Sequence, residues 1–161
     1  MRLSSSFLAV LLLASPYAQT LNQTERLKNC SAQAPKQVPT VSFCELVLDP
    51  VRYDGKIVRL RVKYLVGGET RVIYDKKCEG QAWVEFDHVF DTCTEKSVSQ
   101  RLQRGDSPPT EGLFNGLWES EVITVGMFAH DKQGFGHLNA YKYEFTIKWV
   151  EKVVRGPKKV A

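Results

Sequence analysis

One short segment of the chain alternates strictly between apolar and basic side chains. Its members are Val58, Arg59, Leu60, Arg61, Val62, Lys63 and Tyr64. Successive side chains of a β-strand point to opposite faces, so the pattern predicts a strand with one buried and one solvated face. A half-buried strand needs other elements to cover its apolar face, which places the chain among the sheet-containing folds.

Further strands and two helices follow from similar patterns. Strands are predicted at 70–75, 81–86, 122–129 and 138–150. Gly67-Gly68 turns the chain between the first two strands, and a helix is predicted at 94–104. We expect Trp83 to be available to the core, together with one face of the fifth strand: Tyr141, Tyr143, Phe145, Ile147 and Trp149.

A short helix is predicted ahead of the first strand, over about 42–48. Ser42 and Glu45 have the spacing of a capping box, and Pro50 ends the helix. The element order then predicts an all-β fold with one or two short helices, namely a five-stranded OB-like Greek-key barrel preceded by a short helix. Another small barrel or a two-sheet sandwich has the same order, because element order does not fix strand pairing.

The N-terminus has the pattern of a secretory signal peptide at 1–18. Arg2 supplies a positive charge, and Phe7–Ala14 is an apolar run far shorter than the ~20 residues of a membrane span. We therefore predict a secreted or periplasmic protein with no membrane span after cleavage. The predicted organisation is a flexible arm at 19–40, a barrel domain at 41–152 and a basic tail at 153–161.

Four cysteines lie beyond the leader, at Cys30, Cys44, Cys78 and Cys93. An even number of cysteines in an exported chain indicates disulfides, and the absence of a CxxC pair gives no sign of a zinc or redox motif. Four cysteines permit three pairings. We predict a Cys44–Cys78 bond, which would tie the first helix to the loop after the second strand.

Several short motifs together resemble a known group of proteins. They are Cys44-Glu45-Leu46, Asp49-Pro50, Tyr53-Asp54-Gly55-Lys56, Val58-Arg59-Leu60-Arg61-Val62 and, near the end, Gly136-His137-Leu138 with Tyr141. This set resembles exported bacterial proteins with an OB-like barrel and no characterised activity. The resemblance covers about 42–150 and implies the fold, but it carries no catalytic motif. Lys63, where the pattern often has glycine, and the long 105–120 loop depart from it.

The charge pattern bears on nucleic-acid binding. The net charge of +4 falls by one to +3 when Arg2 leaves with the leader, which is mild for a nucleic-acid-binding domain. Basic residues interleaved with aromatics hold single-stranded nucleic acid on OB folds. Here the cations Arg59, Arg61, Lys63, Lys142 and Lys148 are expected on a solvated face, away from the aromatic rings.

The segment Gly134-Phe135-Gly136-His137 predicts a tight turn before the last strand. Because OB folds bind ligands through loops near their strand ends, the same segment is a candidate rim of a binding site. The ligand-binding candidates are Arg59, Arg61, Trp83, Phe135 and His137.

The sequence gives little support for a catalytic site or a metal site. His88, His130 and His137 lack the spacing of a ligand set, and Glu119 with Glu121 suits an exposed strand. No cofactor is expected. We therefore predict a small exported binding or structural module with an extracellular or periplasmic ligand or protein as its partner. The alternatives are an oligosaccharide- or single-stranded nucleic-acid-binding protein and a small metal-dependent hydrolase.

Overall fold

The computed structural model describes residues 37–88, Phe90, Val98, Leu102 and 116–160. The fold is mostly β, with two short α-helices ahead of the first strand. Its elements are α1 (Phe43–Leu48), α2 (Pro50–Tyr53), β1 (Ile57–Gly67), β2 (Thr70–Tyr74), β3 (Ala82–Phe86), β4 (Leu117–Phe135), a 3-10 turn (His137–Asn139) and β5 (Tyr141–Val160).

The five strands form a closed ring in the order β1-β2-β3-β5-β4. The pairing of β3 with β5 is parallel, whereas the other neighbouring strands are antiparallel. The longest ladder joins β4 to β5. Closure of the ring places the apolar faces of the strands on a common interior.

The interior confirms the alternation predicted for β1. Val58, Leu60, Val62 and Tyr64 are buried, and the basic residues between them lie on the outer face. The largest fully buried side chains from the other elements are Phe43, Leu46, Ile73, Phe90, Leu102, Phe128, Phe145 and Ile147. Helix α1 therefore contributes Phe43 and Leu46 to the same core as the strands.

The start of α1 is fixed by the predicted capping box. The backbone N–H of Glu45 donates to Oγ of Ser42 at 3.2 Å, and the N–H of Ser42 donates to a carboxylate oxygen of Glu45 at 2.7 Å. The predicted disulfide is present between Cys44 of α1 and Cys78 of the β2–β3 connection. Pro50 ends α1 and occupies the first turn of α2, where its missing N–H costs no hydrogen bond.

Strands β4 and β5 are longer than the sequence predicts. The segment 153–160, predicted to be a basic tail, continues β5 and pairs with the start of β4. Gly156 and Pro157 interrupt the strand pattern in the sequence. In the fold they lie at a shift in register between the pairs Glu121–Arg155 and Glu119–Lys158, so the ladder continues past them.

Trp83 is not a core residue. Ala82 and Val84 are fully buried, so Trp83 between them faces outward and is half-buried. On the apolar face predicted for β5, Phe145 and Ile147 are buried, while the rings of Tyr141, Tyr143 and Trp149 are only half-buried.

Some predictions lie outside the described residues. They are the leader at 1–18, most of the arm at 19–36, Cys30, Cys93 and the loop at 105–115. Of the predicted 94–104 helix, Val98 and Leu102 are described and helical. The end of the arm belongs to the barrel, because Val38 is buried and the N–H of Arg59 donates to the carbonyl of Pro39 at 2.9 Å.

Within 37–88 and 116–160, and at the three isolated described positions, no helix has the length and apolar character needed to cross a bilayer.

Loss of the disulfide should lower stability without changing the ring of strands. The bond joins residues 34 apart, and in the chain-entropy model a loop of that size is worth about 3–4 kcal/mol. We expect C44S/C78S to lose about that free energy of unfolding in urea titrations. The control is V51S, which changes an exposed side chain on the neighbouring helix. Equal stability of C44S/C78S and the parent would contradict the prediction.

Candidate binding surface

Two connections far apart in the sequence meet on the outside of the barrel. The β1–β2 turn carries Glu69, and the β4–β5 connection, residues 136–140, carries His137. Nε2 of His137 lies 3.2 Å from a carboxylate oxygen of Glu69. This contact holds the β4–β5 connection against the β1–β2 turn.

Trp83 lies beneath this connection. A Cβ on Gly136 would lie 2.7 Å from Cγ of Trp83, so only glycine lets the backbone approach the ring this closely. Gly136 also has a φ of +71°, a conformation that other residues rarely adopt. The ring of Tyr141 lies 5.4 Å from that of Trp83, centroid to centroid. The indole therefore anchors the β4–β5 connection to β3.

Charged side chains of both signs lie beside Trp83. Nε1 of Trp83 donates to Glu85 at 2.6 Å, and the other carboxylate oxygen of Glu85 accepts from Arg71 at 3.0 Å. Glu144 of β5 lies beside Trp83 in the parallel register. Burial, with the nearby charge of Glu85, raises the pKa of the Glu144 carboxyl above its usual range. The surface therefore has an aromatic centre bordered by carboxylates and by Arg71, whose guanidinium lies over the Trp83 ring, 5.6 Å from its centroid.

The β4–β5 connection also holds an apolar side chain out into solvent. Leu138 is 85% exposed and has φ 56° and ψ 22°, and Asn139 follows with φ 55°. Left-handed backbone is tolerated by asparagine but costs a leucine roughly 1–2 kcal/mol. Strain of this kind clusters at functional sites. We call the set Glu69, Trp83, Glu85, His137, Leu138 and Glu144 the junction surface.

The fold separates the ligand-binding candidates predicted from the sequence into two groups. Trp83 and His137 belong to the junction surface, and Phe135 immediately precedes Gly136 and pairs with Tyr141. Arg59 and Arg61 lie on the outer face of β1, in ion pairs with Glu151 and Glu121, each at 2.8 Å. Their binding role stays a prediction, and the fold gives them carboxylate partners instead of a place beside Trp83.

Sequence reasoning missed Leu138 and the acidic members of the junction surface. Glu69 was not distinguishable from any turn residue, and Leu138 lay in a segment predicted to be strand. The parallel register of β3 and β5 is what places Glu144 beside Trp83. The glycine–aromatic–glycine pattern and the candidate Trp83 were the signals that pointed to this surface.

A second charged cluster covers the outer face of β1, β4 and β5. Each of two carboxylates is shared by two cations. Glu121 contacts Arg61 and Arg155 at 2.8 and 3.4 Å, and Glu119 contacts Lys63 and Lys158 at 3.1 and 3.4 Å. The pair Glu119 and Glu121, expected on an exposed strand, is therefore engaged, and Glu119 is only 3% exposed.

Among the acidic side chains of the described residues, Glu119 has the pKa that departs most from its ordinary value. The Tyr74 hydroxyl donates to its carboxylate, and with Lys63 and Lys158 this bond lowers the pKa of Glu119 to about 2 despite burial. Burial and the same carboxylate raise the pKa of Tyr74 to about 12. The two pKa shifts have the same meaning: the fold favours a neutral Tyr74 phenol beside an ionised Glu119 carboxylate.

The three histidines have separate surroundings. His88 contacts Asp87 at 2.9 Å, His137 contacts Glu69, and the ring of His130 lies 5.7 Å from that of Tyr143. Among the described residues there is no group of three or more histidine, cysteine, aspartate or glutamate side chains arranged to hold a metal ion.

A comparison with known proteins finds no family model, no curated protein sequence and no solved structure that matches this chain.

Because Gly136 contacts Trp83, replacing the glycine should lower the free energy of unfolding. A Cβ at Gly136 meets the indole, and overpacking of this kind costs about 1–3 kcal/mol. We expect G136A to lose that much more free energy of unfolding than G55A. Gly55 is a matched control, because its φ of +69° is nearly the same and nothing lies within 4 Å of its Cβ position. Equal losses would show that the contact contributes nothing.

The buried carboxylate should make stability depend on acid pH. The pKa of Glu119 is lower in the folded protein than its ordinary value of 4.5, so its contribution is complete above that value and is lost as the pH falls towards 2. Between pH 6 and pH 3 we expect the parent protein to lose of the order of 2 kcal/mol more than E119Q in urea titrations.

The control for this titration is E69Q, since Glu69 is 79% exposed. It should retain the full loss of the parent protein. Identical pH dependence in E119Q and the parent would contradict the assignment of the shift to Glu119.

Proposed function

We propose that this chain is an exported binding protein on an OB-type barrel, and that it binds a neutral oligosaccharide at the junction surface. The strand order β1-β2-β3-β5-β4, with β3 parallel to β5, supports the OB-type topology. The helical residues Phe90, Val98 and Leu102 between β3 and β4 also fit it. The predicted N-terminal leader and the Cys44–Cys78 bond favour export, because disulfides persist in oxidising compartments.

The observation that carries the proposal is the contact between Glu69 and His137. OB folds bind oligosaccharides and oligonucleotides on the β2–β3 face, between the β1–β2 and β4–β5 connections. The 3.2 Å contact joins those two connections beside Trp83. The ligand is therefore expected to lie across them.

The charge of the junction surface favours a sugar over a nucleic acid. Glu69, Glu85 and Glu144 outnumber the one guanidinium, that of Arg71, so this surface would repel phosphates, whereas its ionised carboxylates accept hydrogen bonds from hydroxyl groups. Leu138 and the half-buried rings of Trp83 and Tyr141 offer apolar area, as small-molecule sites usually do. A neutral ligand with many hydroxyl groups satisfies both properties.

The proposal is tested with the mature protein on a glycan array, with a labelled oligothymidylate measured in parallel. Binding of neutral oligosaccharides, followed by calorimetry with the best array ligand, supports it. L138S should weaken that binding about tenfold, because the leucine loses apolar contact with the ligand.

The matched control is L48S, which replaces a leucine that is 80% exposed on α1, outside the junction surface. It should bind as the parent protein does. Preference for the oligothymidylate, absence of neutral-glycan binding, or equal losses in L138S and L48S would each contradict the proposal.

A further inference from the structure

We propose that a second surface of the barrel binds an acidic polysaccharide. This surface is the cationic track, formed by Arg61, Lys63, Arg155 and Lys158 around Glu119 and Glu121 on the outer face of β1, β4 and β5. It shares no residue with the junction surface and has the opposite charge.

The track carries more positive charge than its carboxylates can neutralise. Four cations share two carboxylates, which leaves a surplus of two positive charges in one cluster. The outer cation of each carboxylate, Arg155 or Lys158, is at 3.4 Å, while the β1 cations are closer. An additional anion would therefore complete the charge balance of the cluster.

The surplus charge is accessible. The side chains of Arg61, Arg155 and Lys158 are 62%, 76% and 65% exposed. Since β4 lies between β1 and β5, the two strands that carry the cations are about 10 Å apart, and their side chains converge on Glu119 and Glu121 of β4. The cations follow the strands, so a linear polyanion can lie along the track and meet cations of both strands.

The surroundings of the track favour a polysaccharide over the other common polyanions. Single-stranded nucleic acid is held by cations together with a series of stacked bases. Tyr74 is the one described aromatic residue bonded to the track carboxylates, and its hydroxyl is engaged by Glu119. A bilayer requires apolar side chains that insert, and the exposed Trp118 alternates with Glu119 and faces away from the track.

The experiment measures binding of the mature protein to polygalacturonate, a carboxylate polymer, by calorimetry at low ionic strength. Fully methyl-esterified polygalacturonate, labelled oligothymidylate and phosphatidylglycerol vesicles are the comparison probes. We expect polygalacturonate to bind most tightly and the esterified polymer not to bind through the track. R61Q/R155Q/K158Q should bind polygalacturonate about tenfold more weakly.

The matched control is K76Q/K132Q/K142Q, which removes the same charge from exposed lysines outside the track. It should change binding less than the track variant does. E121Q removes a carboxylate from the track and should tighten binding, the opposite sign to the triple variant. Thermal unfolding of every variant confirms that it is folded.

Three results would overturn the inference. Equal losses in the two triple variants would show that net charge alone is responsible. Tighter binding of the oligothymidylate or of the vesicles would assign the track to a different partner. Absence of polygalacturonate binding by the parent protein would remove the partner altogether.

Discussion

The pairing of β5 with two neighbours holds the molecule together. One edge of β5 pairs in parallel with β3, from Tyr143 to Ile147, and the other follows β4 for most of its length. Without the parallel pairing the ring of strands would be open, and Trp83 would have neither Glu144 beside it nor the β4–β5 connection above it. Gly126 permits the close approach of β4 to β5, because a Cβ there would meet the Phe145 ring at 2.6 Å. The geometry of the junction surface follows from this closure.

Closure also divides the outside of the barrel by charge. Around Trp83 three carboxylates outnumber the guanidinium of Arg71, and the raised pKa of Glu144 reflects burial next to Glu85. On β1, β4 and β5 cations outnumber carboxylates, and the low pKa of Glu119 reflects its bonds to Tyr74 and Lys63. The whole chain has a modest net charge, but two of its surfaces carry charge of opposite sign.

The sequence was sufficient for elements whose signals are local. The alternation of β1 and the Ser42–Glu45 capping box were predicted and confirmed, and so was the Cys44–Cys78 bond, although it joins residues 34 apart. It was insufficient where the outcome depends on pairing. Gly156 and Pro157 suggested a tail, but a shift in the ladder accommodates them within β5. Trp83 was expected in the core, but it faces outward. Which residues of β3 face the barrel interior depends on how the strands pair, and the sequence does not determine that pairing. The Glu69–His137 contact joins segments with no common sequence pattern, so only Trp83 and His137 of the six junction-surface residues were predicted from the sequence.

The central claim is that the β4–β5 connection is anchored on Trp83 by a ring closed through β3 and β5. Proton NMR of the mature protein tests it directly, through nuclear Overhauser contacts of the Trp83 indole. The account predicts contacts from the indole protons to the α protons of Gly136, which should be shifted upfield by the ring current because they lie against the indole. Gly136 α protons at ordinary chemical shifts, without contacts to Trp83, would contradict the account.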